Sequence, residues 1–325
     1  MADSSKGSSV EMQRAGKPSS THSQNEKPDW LLDRIKTLEG YNEKARDLLK
    51  QTGEVYEVGP QAVLKLSILA YYLDVYTQII KKRFPKSYFL DLFASSGINK
   101  IENTDEVILG SPLIAEYIPD KKFDKLILFE SKEARAKALQ KLLPKAKVVH
   151  GDVNALDLTN YFKDEEGKIV PLFCFADPEG MELDWSTMTQ VLKTWSDVMI
   201  NYHPDAVRRT AGRAFKKDKP YEDRMNSFFG TDHWKLFQTF ESDDAFLNLY
   251  ISQIRQFKEM VIPIRVRGQK SYYYYIIFAV KKTNGTQGWI DAIERAKKHI
   301  ESSDASRTLT TIDIQQGKQQ TLSFD

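Results

Sequence analysis

Cysteine is almost missing from this chain of 325 residues, in which Cys174 stands alone. Without a second cysteine the chain has no intrachain disulfide and no metal site built from clustered cysteines. A lone thiol within an apolar run is consistent with a reducing compartment. We therefore expect a cytoplasmic protein that holds no metal.

Net charge is also small, because 47 Lys and Arg side chains oppose 45 Asp and Glu, which leaves +2. No global field draws such a protein towards nucleic acid or a membrane, so any attraction must come from a local patch. We identify no apolar run of the roughly 18 residues that cross a bilayer, and the amino terminus is polar rather than a secretion leader. The sequence thus predicts no membrane association.

Aromatic side chains are absent from residues 1–28, which are rich in Ser, Lys, Gln and Glu. Such a segment cannot offset the entropy of ordering, so we expect a disordered tail there and a second tail over 304–325. Residues 29–84 carry two helical patterns, Trp30–Lys50 and Gln61–Lys82, which predict an N-terminal helical cap.

Residues 85–303 alternate short apolar runs with amphipathic segments, the pattern of a parallel sheet built from βα units. Strands are predicted at Tyr88–Phe93, Leu126–Glu130, Lys147–His150, Leu172–Ala176 and Asp197–Tyr202. Helices are predicted at Ser111–Tyr117, Lys132–Leu143, Asn154–Phe162, Trp185–Thr194 and Asp244–Phe257.

Two later apolar runs, Val261–Val266 and Tyr272–Val280, are separated by only five residues. Because five residues cannot hold a crossover helix, the two runs predict an antiparallel hairpin. Five parallel βα units followed by such a hairpin describe the α/β fold of class I methyltransferases, a Rossmann-like sheet of seven strands. A dinucleotide-binding Rossmann domain would continue with parallel strands instead.

In an open α/β sheet, ligands bind outside the carboxyl ends of the strands, where the strand order reverses. The first strand ends at Asp91 and runs into small residues that let the backbone approach a ligand closely. A carboxylate at Glu130 can accept both hydroxyls of a ribose, and one at Asp152 can accept the exocyclic amine of adenine. The predicted cofactor-binding residues are Asp91, Phe93, Ala94, Ser95, Gly97, Glu130, Ser131, Gly151, Asp152 and Val153.

Glycine is missing where a diphosphate would need it, because Ser95 and Ser96 occupy the turn that a G-x-G-x-x-G motif would fill. Acidic residues leave the first four strands instead, which suits a cationic ligand. This pattern favours S-adenosylmethionine over nicotinamide cofactors. Taken singly, Asp91 is equally well explained as a turn cap and Glu130 as a solvated strand end, so their recurrence at successive strands carries the prediction.

The spacing from Asp91 to Glu130 is longer than the roughly 20 residues usual in nucleotide-binding folds. An extra loop over about Ile98 to Gly110 must therefore lie over the site. It is either a lid or a simple insertion.

The fourth strand runs into Asp177, Pro178, Glu179 and Gly180, beside the place expected for an activated methyl group. Methyl transfer is an in-line displacement on carbon, to which a protein contributes alignment and removal of a proton from the nucleophile. Asp177 can do both for an amine or a hydroxyl, Pro178 fixes the turn, and His203 is a candidate base. A β-turn capped by Asp177 and a purely structural histidine are the alternatives.

Basic residues follow the fifth strand, since residues 205–219 contain six Lys or Arg against two Asp. This patch can hold a nucleic-acid backbone or an acidic protein surface, or it is a solvated helix face. The predicted substrate-binding residues are Tyr202, Arg208, Arg209 and Arg213. Tyrosines 272–275 look like a base-stacking platform, but strand alternation divides them between two faces and favours core packing. Nucleic acid is the first candidate acceptor.

These motifs resemble the three-Cys-motif partner protein family, a group of prokaryotic methyltransferase-like proteins, from about Gly59 to Ile300. The resemblance rests on a helix like Leu64–Tyr76, Tyr88–Gly97 with its likeness to D-x-F-A-G-x-G, Gly110-Ser111-Pro112, Phe129-Glu130, Gly151-Asp152 with Asn154, Asp177-Pro178 with Gly180, and the late Tyr-rich strand. It implies a class I S-adenosylmethionine-dependent fold and a partner protein that bears three cysteines.

The sequence departs from the family pattern at two positions. Ser95 stands where the family usually has glycine, which narrows the space beside the cofactor, and Glu179 stands where an aromatic residue is more common. Two other functions therefore stay open beside the methyltransferase. One is a non-catalytic module that retains the fold and serves a partner protein, and the other is a nucleic-acid-binding or processing protein.

Overall fold

The computed structural model describes residues 30–238, 243–268, 272–282 and 287–302 of the chain. The tails predicted at both ends lie outside the described residues. Within the described part, a seven-stranded sheet is covered on both faces by helices.

Two sheets are formed by the described strands. The strands are β1 (Tyr56–Val58), β2 (Tyr88–Asp91), β3 (Ile98–Ile101), β4 (Val107–Leu109), β5 (Lys125–Glu130), β6 (Lys147–His150), β7 (Leu172–Ala176), β8 (Ser196–Tyr202), β9 (Met260–Arg267) and β10 (Tyr273–Val280). The larger sheet has the order β6-β5-β2-β7-β8-β10-β9, and β10 runs antiparallel to both of its neighbours. This is the class I methyltransferase fold, so the predicted fold class and its C-terminal hairpin are confirmed.

The strand order reverses beside β2, because the chain continues through β5 and β6 on one side and through β7 and β8 on the other. Asp91, the last residue of β2, is level with Leu128 of β5 and Phe175 of β7. The parallel strands therefore end along one edge of the sheet. A switch point of this kind opens a crevice at the carboxyl ends of the strands.

Helices form a layer on each face of the large sheet. They are α1 (Trp30–Glu39), α2 (Asn42–Thr52), α3 (Ala62–Ile80), α4 (Ser111–Tyr117), α5 (Glu133–Leu142), α6 (Trp185–Leu192), α7 (Pro204–Ala214), α8 (Lys219–Phe229), α9 (Asp243–Ile254) and α10 (Gln287–Ser302). One core cluster joins a sheet face to α1 to α5 and α10, and a second joins the other face to α6 to α9. The helix predicted over Trp30–Lys50 is divided in two by a turn at Gly40.

Helix α3 is apolar on almost every side, and only Lys65 and Asp74 are charged among its 19 residues. It packs against α1, α4 and α10, and a helix that is surrounded in this way has no need of a polar face. By length and composition it is apolar enough to cross a membrane, and 67% of the apolar window is buried inside the protein. The expectation that no apolar run is long enough was therefore wrong for this helix.

The loop predicted over Ile98 to Gly110 is a β-hairpin. Strands β3 and β4 pair antiparallel, and β1 adds to β3 in parallel, so the insertion is part of a small three-stranded sheet. At its base the backbone N–H of Gly110 donates to the carbonyl of Gly97 over 2.7 Å. A β-carbon at Gly110 would lie 2.8 Å from that oxygen, so the two backbones approach this closely only with glycine.

The predicted helix Asn154–Phe162 is not an α-helix. The chain forms two 3-10 turns there, Val153–Ala155 and Leu158–Tyr161. The side chains of Asp152 and Asp157 each accept a backbone N–H two residues further on. Such local bonds compete with the helical pattern and stabilise short turns.

Candidate functional site

A cleft of 1370 Å³ opens along the carboxyl ends of β2, β5, β6, β7 and β8. Small-molecule sites usually occupy about 300–1,000 Å³, so the cleft has room for a cofactor and part of a second molecule. Predicted cofactor residues on its wall are Phe93, Ala94, Ser95, Glu130, Ser131, Gly151, Asp152 and Val153. Predicted catalytic and substrate residues on its wall are Asp177, Pro178, His203, Arg209 and Arg213.

Asp91 and Gly97 are not on the wall of the cleft, and their contact with a cofactor stays a prediction. Asp91 is fully buried, and its Oδ1 accepts the backbone N–H of Phe93 over 3.1 Å. Burial raises the pKa of Asp91 to about 7, although hydrogen bonds from Ser111 and Phe93 act in the opposite direction. Gly97 has a φ of 82° and lies under Leu139. Both residues shape the loop that follows β2.

Ser95 lies on this loop in a left-handed backbone conformation, with a φ of 53°. For a residue other than glycine, that conformation costs about 1–2 kcal/mol. Its hydroxyl is buried and has no hydrogen-bond partner among the described residues. Strain and an unsatisfied hydroxyl on the wall of a cleft are typical of a segment shaped for a ligand.

Glu130 and Asp152 each use one carboxylate oxygen to hold a local turn. Oε1 of Glu130 accepts the backbone N–H of Lys132 over 2.7 Å, and Oδ1 of Asp152 accepts that of Asn154 over 2.9 Å. Their second oxygens make no hydrogen bond within the described residues, and both side chains lie on the wall of the cleft. Each carboxylate can therefore accept a hydrogen bond from a ligand.

Asp177 lies one residue beyond β7, with an oxygen bonded on each side. The ammonium of Lys65 on α3 forms an ion pair with Oδ2, and Nδ2 of Asn201 donates to Oδ1 over 2.7 Å. The side chain of Asp177 is 21% exposed and that of Lys65 is 14% exposed, so the pair is largely shielded from solvent. The carboxylate is thus fixed in orientation and keeps lone pairs for a further donor.

Both ring nitrogens of His203 are engaged. Nε2 lies 2.9 Å from Nδ2 of Asn201, from which it accepts, and Nδ1 lies 3.3 Å from the hydroxyl of Tyr272. Burial lowers the pKa of His203, and the Lys65 ammonium lowers it further. The imidazole is therefore neutral at neutral pH and contacts Asp177 through Asn201. A direct role for His203 as a base stays a prediction.

Tyr56 on β1 connects two parts of the cleft wall, the segments that follow β5 and β7. Its hydroxyl donates to the carboxylate of Glu179, and its ring lies 4.4 Å from the guanidinium carbon of Arg135 on α5. Burial and the Glu179 carboxylate raise the pKa of Tyr56 well above its usual value, so the phenol stays a donor. The bridge joins the helix after Glu130 to the loop after Asp177.

Two predicted substrate residues lie outside the cleft. Tyr202 is 1% exposed and packs in the core against Tyr250, because strand alternation turns it away from the face that carries Asn201. Arg208 lies outside the wall and pairs with Asp205 on the surface of α7. Their assignment to substrate binding stays a prediction.

Three of the six cations of the basic patch, Arg208, Arg213 and Lys219, pair with acidic neighbours. Arg213 pairs with Asp218 over 2.6 Å, and Lys219 pairs with Asp223 over 2.7 Å. Arg209 lies on the wall of the cleft with no ion pair within the described residues. Of the predicted patch, Arg209 is the cation best placed to contact a ligand in the cleft.

Sequence reasoning missed Lys65, Tyr56 and Arg135, all of which come from elements outside the strand ends that were searched. One signal was available for Lys65, since it is a lone cation on the first two turns of an apolar helix. Tyr56 and Arg135 carry no comparable signal, because their meeting depends on how β1 and α5 pack. In the described part of the chain, no group of three or more His, Cys, Asp or Glu is arranged to hold a metal.

Comparison with known proteins finds only distant structural similarity. No family model matches the chain, and no curated protein matches it. Protein LPL1258 from Legionella pneumophila is 11% identical with a TM-score of 0.44, over 72% of this chain and 92% of its own. Trm1 from Pyrococcus horikoshii, solved with S-adenosyl-L-methionine, is 10% identical with a TM-score of 0.35, over 70% of this chain and 57% of its own.

A third solved structure is the plantazolicin methyltransferase BpumL with SAH and a pentazolic desmethylPZN analog. It is 13% identical with a TM-score of 0.35, over 77% of this chain and 100% of its own. TM-scores this low carry no argument about the fold, which rests on the strand order alone. The order itself and the antiparallel β10 define the chain as a protein of the class I methyltransferase-like fold.

Proposed function

We propose that this chain is an S-adenosylmethionine-dependent methyltransferase. The observation that carries the proposal is the cleft at the switch point of the sheet, where Glu130, Asp152 and Asp177 from three different strand ends share one wall. Ligands of open α/β sheets bind at such a point.

The residues of the cleft fit the chemistry of this cofactor. Glu130 offers an acceptor for the ribose hydroxyls, and Asp152 offers one for the adenine amine. The carboxylates on the wall are Glu57, Glu102, Glu130, Asp152, Asp177, Glu179 and Glu182. The cations on the wall are Lys65, Lys132, Arg135, Arg209, Arg213 and Arg224. The charges of the wall are therefore nearly balanced, which suits a ligand that carries an ammonium and a sulfonium as well as a carboxylate.

The acceptor end of the cleft is built around Asp177. When bound, S-adenosylmethionine supplies a methyl group activated by its positive sulfur. Asp177, oriented by Asn201, would accept the N–H or O–H of the nucleophile, align it, and take up its proton as the new bond to carbon forms and the carbon–sulfur bond breaks. The neutral ring of His203 holds Asn201 in place for this role.

Nucleic acid is the acceptor that we propose first. Arg209 can contact a phosphate, and the half-buried Tyr272 on the same wall can contact a base. A partner protein with three cysteines is a second proposal, supported only by the resemblance in sequence.

Incorporation of label from tritiated S-adenosylmethionine into DNA, RNA and protein fractions tests the proposal. We expect transfer to a nucleic-acid fraction by the wild type, and loss of transfer with retained cofactor binding in Asp177→Asn. An absence of cofactor binding by the folded wild-type protein contradicts the proposal.

Ser95 favours a second candidate, a non-catalytic module that keeps the fold for a partner protein. Its strained backbone and its hydroxyl occupy the loop beside the cofactor position. Binding of S-adenosylmethionine without transfer to any of the three fractions supports this candidate over the enzyme.

A further inference from the structure

Three cations on the wall of the cleft form ion pairs within the described residues, and Lys65 is the most shielded of them. Its side chain is 14% exposed, against 32% for Arg224 and 58% for Arg213. Arg224 and Arg213 pair with Asp184 and Asp218, neither of which is on the wall. Of these three cations, only Lys65 pairs with a carboxylate, Asp177, that the proposed reaction needs.

The strand order fixes what lies beside this ion pair. Strands β6, β5, β2 and β7 are consecutive neighbours in the sheet. Their carboxyl ends carry, in the same order, Asp152, Glu130, the loop after Asp91, and Asp177. Strands are spaced about 4.8 Å apart, so these positions span about 14 Å. A nucleoside whose base lies at Asp152 and whose ribose lies at Glu130 therefore directs its 5′ substituent towards β7. Lys65 lies at that end.

The 5′ substituent of S-adenosylmethionine ends in an ammonium and a carboxylate. The carboxylates of the wall suit the ammonium, whereas the carboxylate of the cofactor needs a cation or backbone N–H groups to offset the loss of water. Lysine meets this need with a point charge on four rotatable bonds, so it can change partner by rotation of its side chain alone.

We infer that Lys65 exchanges counter-ions, pairing with Asp177 in the empty cleft and with the carboxylate of the cofactor when the cofactor binds. The inference rests on the proposed function. Loss of the Lys65 contact leaves Oδ2 of Asp177 available to a nucleophile, while Asn201 still holds Oδ1. Binding of the cofactor thus prepares the acceptor site, and the acceptor follows the cofactor in order.

Decarboxylated S-adenosylmethionine separates this inference from the proposed function, because it keeps the nucleoside, the sulfonium and the amine and lacks only the carboxylate. The quantity to measure by calorimetry is the carboxylate preference, the Kd of the decarboxylated compound divided by that of S-adenosylmethionine. We expect a preference of about tenfold or more in the wild type, as for a charged hydrogen bond, and a value near one in Lys65→Met.

Asp177→Asn is the second variant and decides the question even if Lys65→Met does not fold. A preference above the wild-type value in Asp177→Asn supports the exchange, because Lys65 no longer gives up a competing partner when the carboxylate binds. A preference that is unchanged or lower in this variant overturns it, since Asp177 then does not compete with the cofactor carboxylate for Lys65. Lys65→Arg keeps the charge and is expected to retain most of the preference.

Two further outcomes distinguish failure of the proposed function from failure of the exchange. If the folded wild type binds neither compound, the proposed function fails and the inference fails with it. If the wild type binds both and Lys65→Met leaves the preference unchanged, the proposed function stands and the exchange is contradicted.

Discussion

Carboxylates at neighbouring strand ends differ in their surroundings, and these differences give each a separate role. Asp91 is fully buried and holds a loop, Glu130 and Asp152 present an oxygen to the cleft, and Asp177 is held between a cation and an amide. Acidic residues that look equivalent in the sequence are therefore not equivalent in chemistry, because burial and partners decide what a carboxylate does.

The buried carboxyl of Asp91 makes stability depend on pH. Folding raises its pKa from 3.8 to about 7, so its contribution is fully present below about pH 4 and is lost as the pH rises towards 7. We expect the free energy of unfolding of the wild type, minus that of Asp91→Asn, to fall by up to about 4 kcal/mol across this window. Urea unfolding at several pH values measures the difference, and a flat curve contradicts the raised pKa.

Ser95→Gly is expected to stabilise the protein. Glycine removes the strain of a φ of 53° and the buried hydroxyl, which together outweigh the roughly 0.5–1 kcal/mol entropic cost of glycine. We expect a net gain of about 1 kcal/mol in the free energy of unfolding by urea. Gly97→Ala in the same loop is the matched control with the opposite expected effect. The φ of Gly97 is 82°, which strains a residue with a β-carbon, so the free energy of unfolding should fall. A loss of stability in Ser95→Gly refutes this explanation of the loop.

The β3–β4 hairpin is the element that distinguishes this site from a bare switch-point crevice. It separates the loop after β2 from the helix α4, and β1 pairs with it to place Tyr56 at the cleft. A loop would give Tyr56 no fixed position, whereas a paired strand holds it against Glu179 and Arg135.

Gly110→Ala tests how the hairpin closes. A β-carbon there would lie 2.8 Å from the carbonyl oxygen of Gly97, and backbone on both sides prevents an easy adjustment. We expect a loss of about 1–3 kcal/mol in the free energy of unfolding, as for other overpacked sites. Gly212→Ala is the control, because nothing lies within 4 Å of its added β-carbon within helix α7, where alanine is favoured. Equal effects of the two changes rule out close packing as the cause.

Tyr56→Phe tests the bridge across the cleft. The ring stays beside Arg135, and only the hydrogen bond to Glu179 is lost, a change of about 1 kcal/mol. We expect bound S-adenosylmethionine to leave about fivefold faster in a stopped-flow chase. Tyr117→Phe on α4 lies outside the wall of the cleft and should leave the rate unchanged. The same off-rate in Tyr56→Phe and the wild type argues against a bridging role.

The order of strands and helices was open to prediction because hydrophobic period and turn length are local properties. The hairpin Val261–Val280 follows from a five-residue gap, and five parallel strands follow from repeated apolar runs. The pairing of β1 with β3 was not predictable, because the partners are strands of three and four residues about 40 positions apart. The two 3-10 turns after Asp152 and Asp157 were predicted as a helix. The hydrogen bonds from backbone N–H groups to these two side chains stabilise the turns instead.

At the scale of the whole molecule, the sheet and the N-terminal helices act as one unit, with α1 to α3 in the same core cluster as strands of the large sheet. The strand ends could be searched for site residues from sequence, since topology alone brings them together. Lys65 and Tyr56 could not be found in that way, because their place depends on how the cap packs across the sheet. The site is therefore shared between the predicted domain and its cap.

Calorimetric titration of S-adenosylmethionine into the wild type, Glu130→Gln and Glu133→Gln tests the central claim most directly. Glutamine at 130 still accepts the N–H of Lys132 but lacks the charge offered to the ribose, and Glu133 is an exposed neighbour paired with Lys137. We predict one-to-one binding by the wild type and Glu133→Gln, and binding about tenfold weaker by Glu130→Gln. No heat from the folded wild type, or equal affinity in all three, would contradict a cofactor site in this cleft.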